Sequence, residues 1–309
     1  MKSKNKNLLI LIIILFSLAL FFFLFFNKKS LNHNVDSSPF VNESGQLIVL
    51  ASSFPVYDFA KVIGGDKVAV SLILPPGMES HAYRPAAKDL DVIKTSAIFF
   101  YTSSIMESWA PSLADSVTPK TKILATAENL NDESLDPHVW LDFSKAQTMV
   151  DNIAAAYSSV DSKNAAYYQQ NATNYKQKLL ELDNKYRIGL SDCDFKEFIS
   201  SGHFTFAYLA RRYNLKYQAA QGFVPDDSLD TEKVLRLSKE LKDSGQPYVY
   251  YEELMMPHTG ELMRQASGAN LMPLNAAHNI GAYDIEGGVT FLSLMESDLI
   301  ILRKGLICR

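Results

Sequence analysis

The stretch "QLIVLASSFPVYDFAKVIGGDKVAVSLIL", residues 46–74, decides the fold of this chain. Its two ends, residues 46–52 and 67–74, are short runs of mostly aliphatic residues, which is typical of strands. Between them a helix is predicted from Pro55 to Gly64, because proline suits the first turn of a helix and glycine often ends one. A strand, a helix and a second strand in this order predict a parallel pair with a crossover helix.

The alternation of short strands and helices continues to the end of the chain. Further strands are predicted at residues 97–103, 120–127, 196–202, 215–220, 247–253 and 270–274. Further helices are predicted at residues 86–95, 144–158, 204–213, 231–244, 257–267 and 289–305. Residues 165–188 contain neither Gly nor Pro, and a helix of that length spans roughly 36 Å. We therefore expect an α/β fold of two parallel-sheet lobes, residues 47–164 and 189–309, joined by a long rigid helix.

The N-terminal segment predicts where the protein works. Three lysines precede an apolar run, residues 8–26, which a single serine interrupts. This run covers roughly 28 Å as a helix, close to the thickness of the hydrocarbon core of a membrane. No small-residue cleavage motif and no cysteine that could carry a lipid follow it. We therefore predict a transmembrane anchor at residues 1–27, a flexible linker at residues 28–46, and a body on the extracytoplasmic face of the membrane.

Charge and cysteine content narrow the class of protein further. The formal net charge is −4 and no basic cluster is present, which argues against nucleic-acid binding. The two cysteines, Cys193 and Cys308, favour a disulfide, since two thiols outside the membrane more often pair than stay free. The alternative is two free thiols.

Four of the six histidines stand near the junctions of predicted strands and helices. They are His81 in "GMESHAYRP", His138 in "DPHVWLD", His203 in "SSGHFTFAYLA" and His278 in "LNAAHNI". Because ligands of such folds bind where loops leave the carboxyl ends of the strands, we expect a metal site in the cleft between the lobes. Nitrogen ligands suit Zn²⁺ better than Mn²⁺, which seeks oxygen. The other two histidines, His33 and His258, are interpreted as a linker residue and a surface residue.

Over residues 47–306 the chain resembles the metal-binding solute-binding proteins of ABC importers, which capture zinc or manganese outside the cell. The resemblance lies in the order and spacing of five segments. They are "SSFPVYDFAKVIGGDKVAVSLILPPGMESHAYRP", "DPHVWLDFSKAQTMVDNIAAAY", "YYQQNATNYKQKLLELD", "GHFTFAYLARRYNL" and "YYEELMMP".

The resemblance implies a role for three of the histidines. The first ligand in that family is the histidine of a G-x-[DE]-x-H-x-Y-x-P phrase, here His81, and the second is that of D-P-H-x-W, here His138. At the third position manganese-binding members resemble one another in having Glu, whereas zinc-binding members have His. His203 in this chain therefore implies the zinc-type subgroup.

The fourth ligand is where the chain departs from the family pattern. The family often has an Asp near the last strand, where this chain has Asn275, and a neutral amide is a poor zinc ligand. His278 resembles the variant "HN" ending of some zinc-type members and is our expected fourth ligand, with Glu79 as the alternative. Four further carboxylates could orient an imidazole or be merely structural. They are Glu252, Glu253, Asp142 and Asp284.

The function implied is that of a zinc receptor, a monomer that delivers Zn²⁺ to a membrane permease, and not an enzyme. The alternatives are a manganese receptor, a surface adhesin with a structural metal, and a zinc hydrolase. A hydrolase needs an open coordination position, which would exist if His278 were not a ligand, with Glu79 as the base. Residues 109–137 contain no histidine, so no metal-collecting loop is expected, and the family's lipid-carrying cysteine is missing.

Overall fold

The computed structural model describes residues 40–115, 117, 120–130, 135–224, 230–252 and 258–309. The predicted anchor, most of the predicted linker and Glu253 lie outside the described residues. Among the helices of the described part, none combines the length and the apolar character that a membrane span requires.

The predicted strand–helix–strand unit at the start of the body is confirmed. Strand β1 pairs in parallel with β2, from Leu47 opposite Val68 to Ala51 opposite Leu72. The first sheet has the order β2-β1-β3-β4, and all its pairs are parallel. Its elements are β1 (Leu47–Ala51), α1 (Phe54–Gly64), β2 (Val68–Leu72), α2 (Ala87–Lys94), β3 (Ile98–Tyr101) and β4 (Lys122–Ala125).

Two helices follow this sheet, α3 (Phe143–Val160) and α4 (Ala165–Gly189), and a second sheet comes after them. The second sheet has the order β6-β5-β7-β8 and is also parallel, so both lobes place their strands in the same relative order. Its elements are β5 (Glu197–Ser200), α5 (Ala207–Arg212), β6 (Lys216–Ala219), α6 (Thr231–Ser244), β7 (Tyr248–Glu252), α7 (His258–Ser267), β8 (Asn270–Leu274), α8 (Ala282–Glu286) and α9 (Phe291–Gly305).

The long helix α4 contacts both lobes, as expected of a connecting element. The Tyr175 hydroxyl donates a hydrogen bond to the Asp58 carboxylate on α1, with an O–O distance of 3.1 Å. Nearer its C-terminus, the Tyr186 hydroxyl donates to the Met295 carbonyl on α9 at 2.6 Å. Both tyrosine rings are buried, so the helix is fixed to each lobe by packing as well as by hydrogen bonds.

Cys193 and Cys308 form a disulfide, with their sulfur atoms 1.96 Å apart. The bond joins the segment just after α4 to the C-terminal end of the chain, which confirms the pairing favoured by the sequence.

In each sheet the strand order reverses between its first and third strands, between β1 and β3 and between β5 and β7. Loops that leave the carboxyl ends of strands at such a point diverge and leave a crevice between them. His203 follows β5 and Glu252 ends β7, so both side chains lie at the crevice of the second sheet. The fold therefore places one of the expected ligands at a position where α/β proteins commonly bind ligands.

Candidate metal centre

The four histidines that the sequence singles out come together in one cluster. A ring nitrogen from each of His81, His138, His203 and His278 lies within 4.8 Å of those of the others. The side chains of His81, His138 and His203 are buried, and the Nε2 atom of His278 is shielded from solvent. The rings have come from four separate segments of the chain and from both lobes.

The cluster has the shape of a tetrahedron. All six distances between ring centroids lie between 4.8 and 5.5 Å. Four points separated by six similar distances stand at the corners of a near-regular tetrahedron, whose centre here is about 3.2 Å from each ring. A Zn–N bond of about 2.0–2.1 Å plus the roughly 1.1 Å from nitrogen to ring centre gives nearly the same distance. The Nε2 atoms of His81 and His138 are 3.2 Å apart, close to the roughly 3.3 Å edge of a tetrahedral zinc–nitrogen site.

The ring of His138 is oriented by Asp136. Its Nδ1 lies 2.7 Å from Asp136 Oδ1, which also accepts a hydrogen bond from the His138 backbone N–H at 3.0 Å. Asp136 is 1% exposed, so its carboxylate faces the imidazole and not water. A proton on Nδ1 leaves the lone pair on Nε2, which faces the centre of the cluster.

Glu252 lies against His203 at ion-pair distance, although its contact with the ring lacks hydrogen-bond geometry. The Nδ1 atom of His203 lies 2.7 Å from Glu252 Oε1, which accepts a hydrogen bond from the His203 backbone N–H at 3.1 Å. A Cβ atom at Gly202 would lie 2.3 Å from Glu252 Oε1, so the glycine before His203 is needed for this close approach. Two buried carboxylates, Asp136 and Glu252, thus lie behind two of the imidazoles, where they would offset part of the charge of a bound cation.

Burial disfavours the protonated form of three of the four imidazoles, those of His81, His138 and His278. Burial lowers the pKa of His81 to about 3, and the neighbouring His203 lowers it further in the same direction. Burial also holds the pKa values of His138 and His278 well below the ordinary range. A metal ligand has to be deprotonated, so these groups are already in their coordinating form.

Three buried ring nitrogens of the cluster make no hydrogen bond within the described part of the chain: both nitrogens of His203 and the Nε2 of His278. A buried polar atom without a partner is costly, and a bound cation removes that cost. A cavity of about 60 Å³ lies beside these two histidines, and its wall includes Met78, Glu79 and Asn275.

The other sequence candidates have structural roles. Glu79 accepts a hydrogen bond from the Ala82 backbone N–H at 2.7 Å and so closes the turn that carries His81. Asn275 Oδ1 accepts from the Ala277 N–H at 2.8 Å, also within a turn. The convergent nitrogens therefore belong to the four histidines, and the expectation that His278 joins them is supported by its position.

Two predicted carboxylates lie in helix caps and not at the cluster. Asp142 accepts from the Ser144 backbone N–H at the start of α3 and pairs with Arg212 at 2.7 Å. Asp284 accepts from the Gly281 N–H at 3.2 Å, which caps α8. Asp136 was not among the predicted site residues, although its place two residues before His138 in "DPH" was a usable signal, because Asp often bonds the backbone two residues on.

Comparison with known proteins identifies the family of the chain. The sequence profile of the family "Zinc-uptake complex component A periplasmic" (ZnuA) matches residues 49–305. The chain is 29% identical over 288 residues to the "High-affinity zinc uptake system protein ZnuA" of Bacillus subtilis, an alignment that covers 87% of this chain and 90% of that protein. It is 30% identical over 280 residues to the "Zinc-binding lipoprotein AdcA" of Streptococcus pneumoniae, and there it covers 84% of this chain but only 56% of AdcA.

Solved structures share the fold. The Zn(II)-bound ZnuA-like domain of Streptococcus pneumoniae AdcA superposes with a TM-score of 0.75 at 30% identity, covering 85% of this chain and 99% of that one. The laminin-binding protein Lmb of Streptococcus agalactiae, described as bifunctional with adhesin and metal transporting activity, gives a TM-score of 0.77 at 25% identity, covering 84% of this chain and 99% of Lmb. With a family profile that matches most of its length, this chain belongs to the ZnuA family of zinc-uptake components.

Proposed function

We propose that this protein is the extracytoplasmic zinc receptor of an ABC-type metal importer, which captures Zn²⁺ and delivers it to a membrane permease. The observation that carries the proposal is the near-regular tetrahedron of four imidazoles at the spacing of a zinc–nitrogen site. In this proposal the ligands are His81, His138, His203 and His278.

The donor set favours zinc over manganese. Four neutral nitrogens in a tetrahedron suit Zn²⁺, whereas Mn²⁺ prefers oxygen ligands. The two carboxylates beside the cluster, Asp136 and Glu252, lie against imidazole Nδ1 atoms, which favours a role in orienting the ligands. We therefore expect manganese to bind much more weakly.

The site suits binding and not hydrolysis. A catalytic zinc keeps one coordination position for water or substrate, whereas four imidazoles fill the sphere. The proposed base of a hydrolase, Glu79, already accepts a hydrogen bond from its own turn. An adhesin function is a second proposal, favoured by the similarity to Lmb.

Location at the membrane completes the proposal. The family description is periplasmic, and the N-terminal segment of this chain has the length and apolar character of an anchor. We propose that residues 1–27 hold a monomeric receptor near its permease.

Metal titration tests the function directly. The full-length chain, purified in mild detergent and stripped with a chelator, would be titrated with Zn²⁺ and with Mn²⁺ by calorimetry. His203→Ala would be compared with His258→Ala, which changes an exposed histidine at the start of α7. We expect one tight zinc site, weak manganese binding, loss of zinc binding in His203→Ala and no change in His258→Ala. Absence of a tight zinc site in the unaltered protein would refute the proposal.

A further inference from the structure

The loop that carries His278 follows the second sheet but is bonded to the first lobe. The Phe54 backbone N–H, at the start of α1, donates to the His278 carbonyl at 3.2 Å. The Trp140 indole N–H, between β4 and α3, donates to the Ala276 carbonyl at 2.9 Å. Two separate segments of the first lobe therefore bond to this loop.

Asn279 supplies the closest connection between the two lobes at this point. Its Nδ2 donates to the Pro75 carbonyl at 2.7 Å and to the Met78 carbonyl at 2.9 Å. Its Oδ1 accepts from the Ile280 N–H at 2.8 Å, and the residue is 2% exposed. Because both partners of Nδ2 are carbonyls, the Asn279 amide uses both of its hydrogens as donors.

The two loops joined by this amide are those that carry two expected ligands. Met78 stands three residues before His81, and Asn279 is the next residue after His278. The rings of His81 and His278 have their centroids 5.5 Å apart, the largest of the six separations in the cluster. The buried side chain of Asn279 therefore joins the loops that carry these two rings, together with the Gly77 N–H, which donates to the Ile280 carbonyl at 3.1 Å.

We propose that Asn279 is a positioning residue of the metal centre, whose amide ties the His81 loop to the His278 loop and fixes the separation of these two imidazoles before zinc arrives. The proposal rests on the proposed function, since it takes the four histidines as zinc ligands. It implies that the first lobe positions His81 and His138 and, through the loop bonded to it, also His278 of the second lobe, whereas His203 is positioned within the second lobe.

The first test compares zinc affinities of the full-length, chelator-stripped protein by competition with a chromophoric chelator. Asn279→Ala should weaken zinc binding about 10- to 100-fold, as loss of groups that orient ligands typically does. The matched control is Asn171→Ala, which removes an amide donor to the Ile63 carbonyl at 3.0 Å, between α4 and α1. It should leave zinc affinity unchanged. Tight binding by the unaltered protein and by Asn279→Ala alike would overturn this proposal alone, whereas no tight binding by the unaltered protein would refute the proposed function itself.

A double-mutant cycle separates positioning from a general structural effect. If Asn279 acts through the placement of His278, Asn279→Ala should cost far less zinc affinity in a His278→Ala background than in the unaltered protein. Equal fold-losses in the two backgrounds would overturn the proposal. If Asn279→Ala does not fold, Asn279→Ser, which is too short to bridge both carbonyls, replaces it in the same cycle with the same two outcomes.

Discussion

Asp136→Asn is the substitution that most directly tests how the metal centre is built. The asparagine keeps an oxygen that can accept from His138 Nδ1 and from the His138 backbone N–H, but it removes the negative charge behind the ring. The geometry of the hydrogen bonds is therefore preserved while their charge assistance is lost.

The size of the effect follows from the contacts. A hydrogen bond to a charged group contributes about 1.5–3 kcal/mol, compared with roughly 1 kcal/mol for a neutral one. Loss of a partner that orients a metal-bound histidine typically costs 10- to 100-fold in affinity, which corresponds to about 1.4–2.7 kcal/mol. The first argument gives a loss of about 0.5–2 kcal/mol, which overlaps the lower part of the second range, so we expect the Kd for zinc to rise about 10- to 30-fold.

Although zinc affinity falls, the free energy of unfolding of the metal-free protein should not. Asp136 is 1% exposed, and a buried negative charge carries a desolvation cost in the metal-free protein. Asp136→Asn should therefore leave the free energy of unfolding of the metal-free protein unchanged or raise it. A purely structural aspartate would behave oppositely, with lower stability and an unchanged zinc Kd.

The assay is chelator competition for Kd and urea unfolding of the metal-free protein for stability. Asp142→Asn is the matched control, because Asp142 caps α3 and pairs with Arg212 and does not touch the cluster. Because asparagine still caps the helix, this control loses only the charge paired with Arg212; it should lower the free energy of unfolding by about 0–1 kcal/mol and leave zinc affinity unchanged. An unaltered Kd in Asp136→Asn would refute the argument that this carboxylate orients a metal ligand.

Two further predictions concern stability. In the metal-free protein, burial lowers the pKa of His81 to about 3, whereas an unfolded histidine takes up a proton below about pH 6.5. Between these values the unfolded chain binds more protons than the folded one, so the contribution of this group to the free energy of unfolding falls as the pH falls. Urea unfolding of His81→Gln and of the unaltered protein checks this. As the pH falls from 7 to 4, the free energy of unfolding of the variant should rise relative to that of the unaltered protein, by up to about 1.4 kcal/mol per pH unit. A difference that stays constant with pH would contradict this. The Cys193–Cys308 disulfide closes a separation of 115 residues, so replacing both cysteines by serine should lower the free energy of unfolding by about 2–5 kcal/mol with no change in zinc Kd. An equal stability of the two proteins would show that the bond constrains little in the unfolded chain.

The order of strands and helices was predictable because apolar residues recur where an element is buried. Strand β1 was expected at residues 46–52 and spans Leu47–Ala51. Helix α5 was expected from residue 204 and begins at Ala207, because the preceding turn is bonded to β6 through the Tyr217 hydroxyl, which contacts the Thr205 N–H and the His203 carbonyl. Helix α8 was not predicted, because a helix of five residues is too short to show a helical period in the sequence.

The carboxylates show where local sequence becomes ambiguous. An aspartate that caps a helix and one that orients an imidazole look alike in the sequence, because both accept hydrogen bonds from backbone N–H groups a few residues away. Asp142 and Asp284 proved to be caps, whereas Asp136 lies against His138 and Glu252 lies against His203. Only the position of each side chain relative to a ring distinguishes the two cases.

The sequence by itself determined the alternation of elements, the two parallel sheets and the four histidines, because each of these depends on residue type and on spacing along the chain. The tertiary structure alone decided that the four rings form a tetrahedron and that the His278 loop is bonded to the first lobe. The amide of Asn279 meets carbonyls 204 and 201 residues away, and contacts of that separation arise only when the two lobes pack against each other. Local periodicity cannot predict such a contact, because the contact stabilises the protein only after both lobes have folded.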